Sequence, residues 1–146
     1  MKSVVTIGLG YIGLPTSALI ASKGTPVYGV DINKDVVDTI NKGEIHIAEP
    51  DLQQIVKETV ENGTLKAGTK AIESDVYLIV VPTPFKENHE PDISYIEAAT
   101  LGIISLLKED DLYIIESTSP IGTTEKMRDL IFSKRPELEG KLNIAY

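Results

Sequence analysis

Apolar residues fall along the chain in two alternating patterns. Short unbroken runs occur at Val4-Val5-Thr6-Ile7, Val27-Tyr28-Gly29-Val30, Val76 to Val81, Leu112-Tyr113-Ile114-Ile115 and Leu142-Asn143-Ile144-Ala145. They are continuously apolar and β-branched rather than alternating, which is the pattern of strands covered on both faces of a parallel sheet. A weaker strand is expected within Leu65 to Ala71. Between these runs, apolar residues recur at helical spacing. Residues 12–23 predict a helix with Pro15 in its first turn, where a missing N–H costs little. Asn33 is placed to cap a helix with Val36, Val37 and Ile40 on one side. Asp51 is placed to cap another, carrying Leu52, Ile55, Val56 and Val60, with Asn62-Gly63 as its stop. Ser94-x-x-Glu97 has the form of a capping box ahead of Ile96, Ala99, Ile103 and Leu107. Residues 123–134 predict the last helix, with Met127, Leu130 and Ile131 inward and Pro136 beyond its end.

Strand–helix alternation implies right-handed crossovers and an α/β fold, a doubly wound parallel sheet forming one domain over 1–146. In the order 3-2-1-4-5-6, the ligand crevice lies outside the carboxyl ends of the strands. The residues expected there are Gly8 to Gly13 after the first strand, Asp31 after the second, Pro82-Thr83 after the fourth and Ser117-Thr118 after the fifth. The polar, proline-bounded stretch from Pro82 to Pro91 reads as a surface loop over that site.

Composition narrows the function. The 146 residues carry 14 Lys+Arg against 22 Asp+Glu, a net charge of −8, with 42% hydrophobic and 25% charged residues. These are globular proportions. An acidic balance without a basic block argues against nucleic acid or an anionic membrane surface as the partner. It leaves a nucleotide open, because backbone N–H groups hold phosphate without net positive charge. There is no cysteine, hence no disulfide, Cys-based zinc site or thiol nucleophile in this chain. No run of about 18 apolar residues is long enough to span a membrane, and the start lacks the apolar core of a signal peptide. A cytoplasmic location is expected.

Gly8-Leu9-Gly10-Tyr11-Ile12-Gly13 is G-x-G-x-x-G, following a strand and opening a helix. In that context Gly8 permits the tight turn, Gly10 lets a pyrophosphate approach the backbone and Gly13 lets the helix pack on the sheet. The amides of Tyr11 and Ile12 would face the phosphates at the positive end of the helix dipole. Asp31 ends the second strand 18 positions after Gly13, the place for a carboxylate that accepts from the adenosine ribose hydroxyls. Such a carboxylate repels a 2′-phosphate, so the cofactor read from this Rossmann fingerprint is NAD rather than NADP. Asn33 is the better-placed helix cap, which leaves Asp31 for the ribose. Lys34 is the cation that could offset the repulsion.

The ordered set of motifs resembles the UDP-glucose/GDP-mannose dehydrogenase family. The stretches are G-L-G-Y-I-G-L-P at 8–15, G-V-D-I-N at 29–33, I-N-K-G-E-I-H-I-A-E-P-D-L at 40–52, V-P-T-P-F at 81–85 and E-S-T-S-P-I-G-T-T at 116–124. The H-I-x-E-P-D-L and P-T-P-F-K-x-x-H-E-P-D segments are most similar to the branch that oxidises UDP-N-acetyl-D-mannosamine. The resemblance implies a longer parent of three domains, of which this is the N-terminal NAD-binding one. It implies oxidation of a primary alcohol of a nucleotide sugar to a carboxylate in two hydride transfers to NAD, by way of a cysteine thioester. The cysteine lies in neither this chain nor its motifs, so the fragment alone is not expected to turn over. The resemblance implies NAD contacts at Tyr11, Ile12, Asp31 and Thr83. Thr118 would line both the nicotinamide and the reaction centre in a catalytic role, and Thr124 would contact NAD as in some branches. Other branches often place Lys or Arg where this chain has Val36, so either Lys34 substitutes or the contact is absent. The UDP-sugar would be held mostly by the absent domains, the parent would be a homodimer through its central region, and this fragment a monomer.

Competing readings are another UDP-sugar dehydrogenase, a hydroxyacid dehydrogenase sharing the glycine loop, and a non-catalytic nucleotide-binding regulatory module. The last two leave the E-S-T-S-P-I-G-T-T and H-I-x-E-P-D-L stretches without a role. His46 and His89, with Glu49, Glu87, Glu90 and Asp92 nearby in sequence, lack the fixed geometry a metal needs, and no metal is expected. Glu49 reads equally as a second-shell acid or a solvated loop residue. Lys126 and Arg128 read as surface charges.

Overall fold

The computed structural model describes residues 2–146. Six strands form one sheet: β1 (Val4–Ile7), β2 (Val27–Val30), β3 (Leu65–Gly68), β4 (Val76–Ile79), β5 (Leu112–Ile115) and β6 (Asn143–Ala145). Their order is β3-β2-β1-β4-β5-β6, and every neighbouring pair is parallel. The helices are α1 (Gly13–Ser22), α2 (Lys34–Asn41), α3 (Leu52–Glu61), α4 (Ser94–Ile103) and α5 (Thr123–Lys134), with single 3-10 turns at Ile104–Leu106 and Pro136–Leu138.

The unbroken apolar runs have a direct cause. Successive strand side chains enter opposite layers: Val4 and Leu78 pack with α1, α2 and α3 through Leu14, Ala18, Val37 and Val56. Val5, Tyr77 and Ile79 pack with α4 and α5 through Ile96, Ile103, Met127 and Ile131. Both faces of the central strands are covered, and the exposed strand residues, Lys66 in β3 and Asn143 in β6, lie on the two edge strands. The second layer also buries two phenols. The Tyr113 hydroxyl lies 2.6 Å from Thr100 Oγ1, which donates to the Ile96 carbonyl at 2.8 Å, so Tyr113 is the donor of the pair. Burial pushes the Tyr113 phenol up to about 12.

Several boundaries depart from the sequence reading. β4 stops at Ile79 instead of running to Val81, because the Val81 amide leaves the ladder for Ser117 Oγ at 2.9 Å. β3 ends at Gly68. Asp51 precedes α3 but does not cap it: its backbone is left-handed (φ 62°) and its side chain accepts no bond from the helix. The capping box at Ser94 does not form either. Ser94 is already the first helical residue, Glu97 N–H donates to the Ile93 carbonyl at 3.0 Å, and the entry is held by Asp92 Oδ1, which accepts from Ser94 N–H at 2.9 Å. Hydrogen bonds from Ser94 hold the Asp92 carboxyl below the usual range. The Pro82–Pro91 stretch is a small ordered turn-back, with Phe85 bridged antiparallel to Pro91 and Lys86 N–H donating to the Glu90 carbonyl at 2.7 Å. No helix among the described residues is long and apolar enough to cross a membrane.

Candidate functional site

The loop from β1 into α1 is shaped by two glycines and left open at the third. Gly8 has φ +102°, and a Cβ there would stand 2.1 Å from the Val80 carbonyl oxygen. A Cβ on Gly13 would meet the Gly8 carbonyl oxygen at 1.8 Å. These two are demanded by the protein itself. A Cβ on Gly10 would meet nothing within 4 Å. The fold therefore does not need a glycine at that position, and the space beside it is free for something else. The amides of Tyr11 and Ile12 donate to no protein acceptor among the described residues, while Leu14 N–H and Thr16 N–H already close α1 onto Gly10 and Ile12. Unpaired N–H groups at a helix N-terminus next to open space suit a phosphate.

Asp31 does more than the sequence reading allowed. Asn33 caps α2 as expected, its Oδ1 accepting from Asp35 N–H at 3.0 Å. Yet Asp31 is not free: Oδ2 accepts from Leu9 N–H at 3.1 Å and Oδ1 from Asn33 N–H at 2.9 Å. The carboxylate thus ties the glycine loop to the end of β2. A carboxylate offers about four acceptor sites, so two remain for hydroxyl groups. Leu9 supports the same joint from below, buried against Gly29, where a Cβ would stand 2.6 Å from Leu9 Cδ2.

Beside this joint lies a cleft of about 700 Å³. Its walls come from Gly8, Asp31-Ile32 after β2, Thr69-Lys70-Ala71 after β3 and the α4 face carrying Tyr95, Ala98 and Gly102. A mostly apolar slot beside a carboxylate has the chemistry to take a nucleoside. The sequence reading missed the 69–71 segment and α4. A signal existed in the small pair Ala98 and Gly102, one helical turn apart, which leaves a groove on an otherwise bulky helix. Lys34 needs correction. Its amine pairs with Asp38 at 2.6 Å, it does not line the cleft, and the lysine that does is Lys70.

The other candidates lie at the far half of the sheet. Ser117 Oγ accepts from Val81 N–H at 2.9 Å and donates to the Val81 carbonyl at 2.8 Å, pinning the end of β4 to the end of β5. This brings the segments bearing Thr83 and Thr118 to one edge. Thr83 and Thr124 are half-buried and Thr118 is exposed. None of the three lines the cleft. Thr123, not Thr124, is buried, donating to the Pro120 carbonyl at 2.8 Å. Among the described residues no three His, Asp or Glu side chains gather as a metal would require, and His46, Glu49 and His89 are exposed.

The sequence model of the UDP-glucose/GDP-mannose dehydrogenase family, NAD binding domain, matches residues 2–146. The chain is 53% identical over 152 residues to UDP-N-acetyl-D-mannosamine dehydrogenase of Escherichia coli, covering 99% of this chain and 36% of that protein. It is 51% identical over 137 residues to NDP-N-acetyl-D-galactosaminuronic acid dehydrogenase of Ralstonia nicotianae, covering 94% of this chain and 32% of that protein. The fold superposes with a TM-score of 0.88 on the UDP-N-acetyl-mannosamine dehydrogenase of Staphylococcus aureus, at 37% identity, covering 92% of this chain and 33% of that one. The chain thus spans about a third of the length of the relatives it matches.

Proposed function

We propose, given that this chain belongs to the UDP-glucose/GDP-mannose dehydrogenase family and forms its NAD-binding domain, that it is the cofactor half of a UDP-N-acetyl-D-mannosamine 6-dehydrogenase. The whole enzyme would oxidise the sugar's primary alcohol to the uronic acid for surface polysaccharide biosynthesis, in the cytoplasm and as a homodimer. The observation that carries the cofactor role is the pair of unpaired amides at Tyr11 and Ile12 beside the open position at Gly10. The substrate assignment is supported by the names of the relatives.

NAD supplies the hydride acceptor when bound. The chain's own residues bind and orient. Tyr11 and Ile12 N–H groups would hold the pyrophosphate, with the α1 dipole behind them. The remaining acceptor sites of Asp31 would take the adenosine ribose hydroxyls. Thr83 and Thr124 would line the nicotinamide end. The Thr118 hydroxyl, exposed and without a hydrogen-bond partner among the described residues, can donate and accept, so it would hold the substrate oxygen or a water at the reacting carbon. An acyl carrier for the second oxidation is a thiolate's task, and this chain has no cysteine. That group belongs to the segments that complete the relatives.

The resemblance to the Ralstonia enzyme keeps a second hexosamine in view. Assaying the complete parent enzyme with UDP-N-acetylmannosamine, UDP-N-acetylgalactosamine and UDP-glucose decides the matter. The expected result is two NADH per UDP-N-acetylmannosamine and little turnover of UDP-glucose. Preference for the galactosamine sugar or for UDP-glucose would replace the assignment.

A further inference from the structure

We propose that Ser117 is a positioning residue for the oxidation. Its hydroxyl takes the place of the next step of the β4–β5 ladder, and so leaves Thr118 with both its backbone N–H and its hydroxyl free at the reacting edge. The inference rests on the role proposed above for Thr118.

β4 and β5 are in parallel register up to Ile79 and Ile115. Glu116 N–H then donates to the Ile79 carbonyl at 2.9 Å, as a parallel ladder requires. In the next regular step the Glu116 carbonyl would accept from Val81 N–H, and Thr118 N–H would donate to the Val81 carbonyl. Neither bond forms. Ser117 N–H instead donates to the same Ile79 carbonyl at 3.2 Å, so two residues after β5 stand against one of β4, as in a β-bulge. The Ser117 hydroxyl then fills both vacated ladder places. Its oxygen accepts from Val81 N–H at 2.9 Å, and its proton goes to the Val81 carbonyl at 2.8 Å in preference to the Ile79 carbonyl at 3.3 Å.

One side chain thus satisfies both backbone groups of Val81. Thr118 makes no hydrogen bond through its N–H or its hydroxyl among the described residues. Without the Ser117 hydroxyl, Val81 N–H and C=O lose their partners, and unpaired backbone groups at a strand end are costly. The replacements nearest along the chain are the Glu116 carbonyl and the Thr118 amide. The ladder would then close by one step and draw Thr118 into it. A displacement of about 1 Å at a reacting centre can cost about a hundredfold in rate.

The test uses the complete parent enzyme with UDP-N-acetylmannosamine and NAD, as wild type, Ser117→Ala, Ser117→Thr, Thr118→Ala and the Ser117→Ala/Thr118→Ala double variant. A thermal melt confirms that each is folded. Ser117→Ala should lower kcat about a hundredfold with the KM for NAD nearly unchanged. Ser117→Thr keeps the hydroxyl and should restore most of the rate. The double variant should be no slower than Thr118→Ala, because Ser117 acts through Thr118. Hydrogen exchange at the Thr118 amide, read by fragment-resolved mass spectrometry, should be fast in wild type and slowed in Ser117→Ala. A residue that only stabilised the fold would lower the melt, would multiply its rate loss with that of Thr118→Ala, and would not slow that exchange. Any of these results, or a wild-type kcat in Ser117→Ala beside a slow Thr118→Ala, overturns the role of Ser117 alone. Full turnover by Thr118→Ala overturns the role of Thr118 and this inference with it.

Discussion

The two halves of the sheet meet the crevice in opposite ways. At the carboxyl ends of β1 to β3 the polar side chains after β2 are engaged, while the Tyr11 and Ile12 amides after β1 are open. Asp31 ties the Leu9 and Asn33 amides together, Asn33 caps α2, and a cleft of about 700 Å³ opens beside them. At the ends of β4 and β5 the Ser117 and Thr123 hydroxyls are engaged with nearby backbone. The hydroxyls of Thr83, Thr118 and Thr124 are unpartnered among the described residues, and Phe85 and Ile121 are 74% and 106% exposed. One half is tied together by Asp31 around an open cleft. The other presents hydroxyls and exposed apolar side chains with no partner among the described residues. On the function proposed here, that division separates holding the cofactor from carrying out the reaction.

The sharpest break of the comparison is within the glycine loop. Gly10→Val should abolish NAD binding, more than a hundredfold weaker, while shifting the melting temperature little, because the added side chain enters only the phosphate's space. Gly13→Val should instead fail as a fold, since its Cβ would lie 1.8 Å from the Gly8 carbonyl oxygen. Calorimetry and thermal melts on both variants check the pair. Normal NAD binding by Gly10→Val would remove the pyrophosphate from this loop.

The open half is probed by Thr118→Ala in the complete parent enzyme. Turnover should fall by about 10²–10³ if the hydroxyl acts in the transition state, with the NAD dissociation constant nearly unchanged, because the contacts proposed for Asp31 and Tyr11 would remain. Single-turnover kinetics beside a thermal melt separate this from a packing role before Pro120. An unchanged rate with a lowered melt would place Thr118 among structural residues.

A smaller effect is expected at the half tied by Asp31. Asp31→Asn should narrow the gap between NAD and NADP by about tenfold, since it removes the negative charge; its single amide oxygen keeps one of the two N–H bonds from Leu9 and Asn33, so a thermal melt accompanies the titration. Titration with both dinucleotides reads this directly. A gap that widened would mean the carboxylate does not face the ribose.

The least effect on binding belongs at the opposite end of the sheet. Asp75 accepts from Ser3 N–H at 2.8 Å, and that bond foremost holds its carboxyl below the ordinary 3.8. A carboxyl lowered on folding contributes stability above its unfolded value, and that contribution is lost as pH falls through the lower folded one. Asp75→Ala should therefore lower the melting temperature near neutral pH, and the difference from wild type should close as the solution is acidified below about 4. NAD affinity should not move, which calorimetry at neutral pH would verify.

Much of this molecule was legible from its residues alone. The strands and their parallel class follow from unbroken apolar runs separated by helical repeats, because the central strands are covered on both faces; the order was taken from the common doubly wound arrangement. Gly8, Gly13 and Asp31 could be placed because their roles depend on local backbone geometry just past a strand. Local capping was less certain. Asp51 and Ser94 carry cap-like sequences, but one residue's backbone is left-handed and the other already lies inside its helix. Only the tertiary structure decided which lysine lines the cleft. Lys34 is near Asp31 in sequence but is drawn away to Asp38 by the helix repeat, whereas Lys70, far along the chain, is brought there by the pairing of β2 with β3. It also decided that Asp31 joins the glycine loop to β2 and that α4 supplies a wall of the cleft. These are contacts between segments distant in sequence, and no local pattern encodes which side chains meet once separate strands and helices are packed together.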